Sequence, residues 1–239
     1  MAEQRLQKVL AAAGIDSRRK CEELILSGDV KVNRKVVDTL PAFVDPEKDI
    51  ITVYGKKIRA AQKVYFLLNK PKGVICTSSD PQGRPRAVDL VPSRERVFCV
   101  GRLDTDTTGL IILTNDAELT NLLTHPKYKV SKTYVAKVTG RVDSPTAEKL
   151  SKGIWLAEGR TSRAVVKVLK RGHNDSLVEI RISQGLNRQI RRMLAKVGLP
   201  VESLKRTRIG GLSVEGLGVG RYRPISKAEV ASLKRIATA

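Results

Sequence analysis

Asp104 is the carboxylate of this 239-residue chain whose neighbours could make it react. It lies in Gly101-Arg102-Leu103-Asp104-Thr105-Asp106-Thr107-Thr108-Gly109-Leu110, two positions after Arg102. This Thr- and Gly-rich turn runs into the apolar Leu110-Ile111-Ile112-Leu113. A nearby cation favours the charged form of an acid, and a defined turn orients it. A nucleophile or a base needs both. Three other segments carry groups that could surround this carboxylate. Lys132-Thr133-Tyr134 puts a tyrosine on the inward face of a strand. Asn187-Arg188-Gln189-Ile190-Arg191-Arg192-Met193 sets three arginines on a helical face opposite an apolar stripe. That face suits phosphate contact through Arg188 and Arg192, and an ion pair between Arg191 and a buried acid. Asn69-Lys70-Pro71-Lys72-Gly73 offers a rigid basic turn.

Other chemistries find little material. His125 precedes a proline and His173 sits in a Gly/Asn/Asp turn. Neither has the Ser, Cys or acidic company of a triad or a metal site. Cys21, Cys76 and Cys99 are odd in number and form no C-x-x-C pair, so neither a disulfide framework nor a zinc site is expected. No G-x-x-x-x-G-K-S/T or G-x-G-x-x-G occurs, and Gly216-Leu217-Gly218-Val219-Gly220 has neither the spacing nor the βαβ setting of a phosphate-binding loop. What remains is carboxylate chemistry assisted by arginine and tyrosine, without metal or cofactor.

The net charge of +21 points to the partner. Residues 1–60 hold 12 Lys and Arg against 9 Asp and Glu, so the remaining 179 residues carry +18. Such a field attracts polyanions and favours counterion-releasing contacts with nucleic acid phosphates. A membrane surface is the weaker reading, because no basic amphipathic anchor is present. No apolar stretch nears the ~18 residues of a membrane span, and the N-terminus lacks a signal-peptide core. A soluble, cytoplasmic protein is expected.

The elements that must position these groups read as two domains, 1–60 and 61–239. Leu6, Val9 and Leu10 repeat at helical spacing up to Gly14, and Asp16 or Ser17 can cap a second helix that stops at Gly28. Residues 30–37 read as two short strands around an Asn33-Arg34 turn, and 49–53 as another strand. Arg18, Arg19 and Lys20 crowd the start of the second helix, where cations oppose the macrodipole and a phosphate would relieve them. Lys31, Asn33 and Arg34 join them as candidate RNA contacts. The basic stretch 55–61 reads as the connection. Beyond it, strands are expected at 64–68, 110–113, 131–140 and 177–182. Helices are expected through Leu119, Leu122 and Leu123, through Ile190, Met193, Leu194 and Val197, and from Ser226. The pattern is α+β.

Residues 3–50 resemble the small S-four-type (αL) RNA-binding domain. The turn around Asp104, followed by Leu113-Thr114-Asn115-Asp116, resembles the signature of RNA pseudouridine synthases of the RsuA/RluB/RluE/RluF family. Asn69–Gly73 resembles the family's first motif, Lys132-Thr133-Tyr134 its K-x-Y motif, and Gly185–Met193 its third. Leu204–Gly210 with Leu217 and Gly220 matches the C-terminal pattern. Ala117 stands where the family commonly has glycine, and Gln184 and Leu186 where the third motif often has Glu and Arg.

The resemblance implies a catalytic domain with a mostly antiparallel sheet flanked by helices, and isomerisation of a uridine in ribosomal RNA, of the large subunit, to pseudouridine. It implies Asp104 as the essential carboxylate, nucleophile on the sugar or base at the ribose C2′. Tyr134 would stack on the extruded uracil, Arg191 would pair with Asp104, and Arg102 would hold the RNA where the base has left its stack. Lys70, Lys72, Lys132, Arg188 and Arg192 join the RNA contacts. The implied partner is ribosomal RNA or a ribosomal subunit precursor, the protein acting as a monomer with no cofactor. A non-catalytic assembly factor would need the charge and the N-terminal unit, but not Asp104, Tyr134 and Arg191 together. A base-releasing hydrolase would need a second, paired carboxylate, and Asp106, two residues on along an extended turn, is expected to point elsewhere.

Overall fold

The helical spacing of Leu6, Val9 and Leu10 becomes α1 (Leu6–Ala12) in the computed structural model, which describes residues 3–238. Ser17 accepts from the Lys20 amide at 3.3 Å and so caps α2 (Arg18–Leu26). Beside these helices lie β1 (Gln4–Arg5), β2 (Val30–Val32), β3 (Lys35–Val36), β4 (Phe43–Val44), β5 (Ile51–Val53) and β6 (Lys56–Lys57). The β2–β3 hairpin turns on Asn33 and Arg34 at φ 50° and 70°, the two positive values a tight hairpin demands. One sheet runs β3-β2-β5-β6, and β1 pairs with β4. Leu6, Leu10, Cys21, Ile25, Val30 and Ile51 fill the core of this unit. β6 falls in the stretch read as a connection. Its exposed lysines hide an edge strand that pairs with β5.

Two compact units result: residues 3–64 with 93–97 and 115–117, and a larger one of the remaining described residues. The larger unit holds β7 (Tyr65–Lys70), β8 (Phe98–Cys99), β9 (Thr107–Thr114), β10 (Lys132–Thr139), β11 (Trp155–Leu156), β12 (Gly159–Arg160), β13 (Val165–Arg171), β14 (Asp175–Ile182), β15 (Val201–Ile209), β16 (Leu212–Ser213) and β17 (Tyr222–Pro224). Its helices are α3 (Ala117–Thr124), α4 (Ser144–Lys152), α5 (Gln189–Lys196) and α6 (Lys227–Thr238). The main sheet runs β13-β14-β10-β15-β9-β7-β17, with β16 on β15 and β8 on β9. Every join is antiparallel except β15–β9.

The sheet packs into two apolar clusters. Leu67, Leu110, Ile112, Leu123, Ile209 and Leu233 belong to one, under α3 and α6. Ala136, Val138, Val178, Ile180, Ile190 and Leu194 belong to the other, under α5. The parallel join needs Gly109, at φ 102°, because a Cβ there would collide with the Arg206 carbonyl. Among the described residues no helix is long and apolar enough to cross a membrane.

Candidate active site

The peptide around Asp104 is a β-turn: the Thr107 amide donates to the Asp104 carbonyl at 3.1 Å. Two neighbours fasten it. The Gly73 amide donates to the Thr105 carbonyl at 2.8 Å, and the Leu103 amide to Cys76 Sγ at 3.5 Å. β9 begins where the turn ends, so the buried strand Leu110–Leu113 anchors the turn that carries Asp104. Asp104, about one-third exposed, lines a cavity of about 280 Å³ shared with Arg102, Tyr134 and Arg188. A second, more open cavity of about 490 Å³ shares Arg102, Asp104 and Arg188 and extends over Thr77, Asp80 and Arg84.

Arg188 and Arg191 reach this turn, in a different pairing from the expected one. Arg188, at the helix N-cap with φ 46°, lies 3.5 Å from Asp104 and 3.3 Å from Asp106. Arg191 pairs with Asp106 at 3.1 Å and also donates to the Asp106 and Val201 carbonyls, at 3.2 and 3.3 Å. So Asp104 pairs with Arg188 and Asp106 with Arg191, and Asp106 does not point elsewhere. The β-turn is the reason. It folds the chain back, where an extended segment would have sent the second acid away. Burial raises the Asp106 pKa, but hydrogen bonds from Arg188 and the charges of Arg191 and Arg188 outweigh it and hold the group below its ordinary value.

Tyr134 stands half-buried on β10, opposite Arg206 of β15. The Arg206 guanidinium lies 6.0 Å from its ring centroid, a cation–π contact. Arg206 is buried and donates through Nε to the Leu110 carbonyl at 2.7 Å, which ties β15, the neighbour of the tyrosine's strand, to the strand behind Asp104. Lys132 is half-buried. Burial first, and then the Arg206 charge, bring its pKa down to about 8.

Lys70 requires a correction. It is 0% exposed, and its Nζ donates to the Pro71 and Val74 carbonyls at 3.0 and 2.7 Å. A lysine spent inside the fold cannot reach RNA from this position. Burial lowers its pKa, partly offset by Cys76, Asp106 and Asp104 nearby. Lys72, two residues on, is exposed. Arg192 is held at 2.8 Å by Glu158.

In the smaller unit Arg18, Arg19 and Lys20 are exposed at the start of α2, with Lys20 bonded to Glu23 at 2.7 Å. Lys31 and Arg34 are exposed. Asn33 is committed to the fold: its side chain donates to Asp49 at 2.8 Å and accepts from the Ile50 amide at 2.9 Å.

Sequence reasoning missed two features here. Arg206 was only part of a motif, although it is the contact between Tyr134 and β9. Cys76 and Cys99, 23 positions apart, interact beside the turn. Their interaction lowers the Cys76 pKa and raises that of Cys99. No spacing motif announces a pair so far apart. Among the described residues no cluster of His, Cys, Asp and Glu could hold a metal.

Known proteins share this architecture. Residues 64–196 match the RNA pseudouridylate synthase family and residues 4–50 the S4 domain. The chain is 45% identical to ribosomal large subunit pseudouridine synthase B of Bacillus subtilis over 237 residues, covering 98% of this chain and 97% of that protein. It is 41% identical to an uncharacterized RNA pseudouridine synthase of Aquifex aeolicus, covering 98% and 94%. A crystal structure of a pseudouridylate synthase superposes with a TM-score of 0.70 at 30% identity, covering 96% of this chain and 99% of that one. The chain belongs to the RNA pseudouridine synthase family, as a member that joins an N-terminal S4 domain to the catalytic fold.

Proposed function

We propose that this protein converts one uridine of large-subunit ribosomal RNA, free or in a subunit precursor, into pseudouridine in the cytoplasm, with Asp104 as the essential carboxylate. Residues 1–60 read the RNA and residues 61–239 carry out the isomerisation. The observation that carries the reading is Asp104 on a fastened turn, opening on the same cavity as Tyr134, Arg102 and Arg188. The Bacillus subtilis relative, matched over nearly its whole length, supports the large ribosomal subunit as the source of the substrate.

The reaction breaks the bond from uracil N1 to ribose C1′, turns the base while it is held, and joins C5 to C1′. The proton lost at C5 is balanced by the one gained at N1, so no oxidant, water or energy source is consumed. Extruding the uridine costs a few kcal/mol, which stacking and cationic contacts offset. Tyr134 stacks on the freed uracil while Arg102 and Arg188 hold the flanking phosphates. Asp104 acts on the ribose, as nucleophile on the sugar or as base at C2′. Asp106 anchors Arg191 and Arg188 and so shapes the helix end that faces Asp104.

The test is pseudouridine mapping on ribosomal RNA from cells lacking the gene, complemented by wild type or by Asp104→Asn. One large-subunit position should lose its pseudouridine, recover it with wild type, and stay unmodified with the variant. An unchanged map in the deletion strain would overturn the assignment of substrate.

A further inference from the structure

Trp155 is the chain's sole tryptophan, and it is 70% exposed. Folding ordinarily gains from removing so large an apolar ring from water. Here the local structure holds it out. Its neighbours Ile154 and Leu156 are buried, and the strand alternation of β11 turns Trp155 the other way. The hairpin behind it is firm: the Ile154 amide donates to Thr161 Oγ1 at 3.0 Å, and Gly153 has no room for a Cβ against the Thr161 carbonyl.

The ring borders an open cavity of about 680 Å³ with Arg192, Ala195 and Lys196 of α5. Arg160 stands directly opposite Trp155 in the β11–β12 register. The acid at this surface is Glu158, bonded to Arg192. Two further Arg192 donors, Nε and Nη2, are buried and have no partner among the described residues.

Arg192 and Lys196, four positions apart, share a face of α5, and Arg188 is its N-cap, four positions before Arg192. That row spans about 12 Å. One end touches Asp104 and the other borders the Trp155 cavity. An aromatic face set among cations matches single-stranded nucleic acid, whose bases stack while its phosphates pair. A paired base keeps its faces inside the duplex.

We infer that an unpaired base of the RNA, flanking the target nucleotide, stacks on Trp155 while its backbone runs along Arg192 and Lys196. The inference rests on the RNA-modifying reading above. Glu158 gives up Arg192 to a phosphate when the strand arrives.

The lone tryptophan reports on its own surface. Full-length protein is titrated with an end-labelled single-stranded oligoadenylate and with a fully paired RNA duplex of equal length. Label anisotropy follows binding, and tryptophan emission follows stacking. The single strand should quench the emission and the duplex should not. Trp155→Ala should weaken single-strand binding by about tenfold or more, Trp155→Phe should keep most of it, and Arg192→Ala with Lys196→Ala should weaken it and flatten its salt dependence.

A single strand that binds without quenching, and equally well to Trp155→Ala, would overturn the inference. So would emission that changes with protein concentration alone, which would mean a second copy covers the ring. Pseudouridine formation with an unquenched tryptophan removes only this surface. Absence of any RNA binding removes the reading beneath it.

Discussion

Asp104 and Asp106 are two positions apart, yet their surroundings differ. Asp106 is held by Arg188 and Arg191 at 3.3 and 3.1 Å, and its own carbonyl accepts from Arg191. A carboxylate so engaged is a poor nucleophile and a good anchor. Asp104 has one cation, at the longer distance of 3.5 Å, and opens on the cavity. Behind both lies Lys70, whose ammonium ties the Pro71 and Val74 carbonyls together next to the Gly73–Thr105 hydrogen bond that fastens the turn. Lys70→Met should therefore lower stability by about 1–3 kcal/mol, since two buried carbonyls would be left without their donor, and should also lower the turnover rate, with RNA affinity unaltered. Denaturant unfolding and single-turnover assays measure the two effects. Unaltered stability would show that the ammonium does not hold this end of β7.

At the level of elements, much of the frame was readable. The Asn33-Arg34 hairpin, the strand read at 64–68 and the amphipathic α5 are legible from turn chemistry, a continuous apolar run and helical periodicity. β15 is not, although it is the strand between β10 and β9. Its inward positions Leu204, Arg206 and Ile209 include a buried arginine, which breaks the apolar alternation that marks a strand. The site followed the same rule. Asp104, Tyr134, Arg188 and Arg191, picked out by their motifs, do lie together, while Arg192 turns to Glu158. Motif spacing could not say which arginine meets which acid, because that depends on the turn at 104–107.

A further element is held by ions. Arg223 of β17 makes a two-pronged pair with Glu229 of α6 at 2.7 and 3.0 Å. Hydrogen bonds from Arg223, against some burial and with help from Ser226, bring the Glu229 pKa down to about 2 from its ordinary 4.5. A carboxylate lowered on folding stabilises above its unfolded pKa, and that contribution fades as pH falls from about 4.5 toward 2. For a pair this exposed the contribution is about 1 kcal/mol. Glu229→Gln should lower stability by that amount at neutral pH and flatten the acid limb between those values. Urea titrations at several pH values would show it. An acid limb of unchanged slope would mean the pair contributes nothing.

At the scale of the whole molecule, the charge is unevenly shared, with +18 of the +21 lying beyond residue 60. The catalytic unit therefore supplies most of the general attraction to RNA. The smaller unit adds a local cluster, Arg18, Arg19 and Lys20 at the start of α2, all exposed. Replacing the three by alanine should weaken binding to ribosomal RNA and reduce the salt slope by about one for each phosphate left without its cation. Filter binding across a salt series measures this. An unchanged slope would make the cluster solvated surface.

The function proposed above has Asp104 carry out the chemistry while the surrounding cations and Tyr134 hold the RNA. Its most direct test places purified Asp104→Asn beside wild type on the same ribosomal RNA fragment, scoring pseudouridine formed and RNA bound in one sample. Asp104→Asn should bind the fragment with wild-type affinity and form no product. Product at the wild-type rate would contradict that role for Asp104.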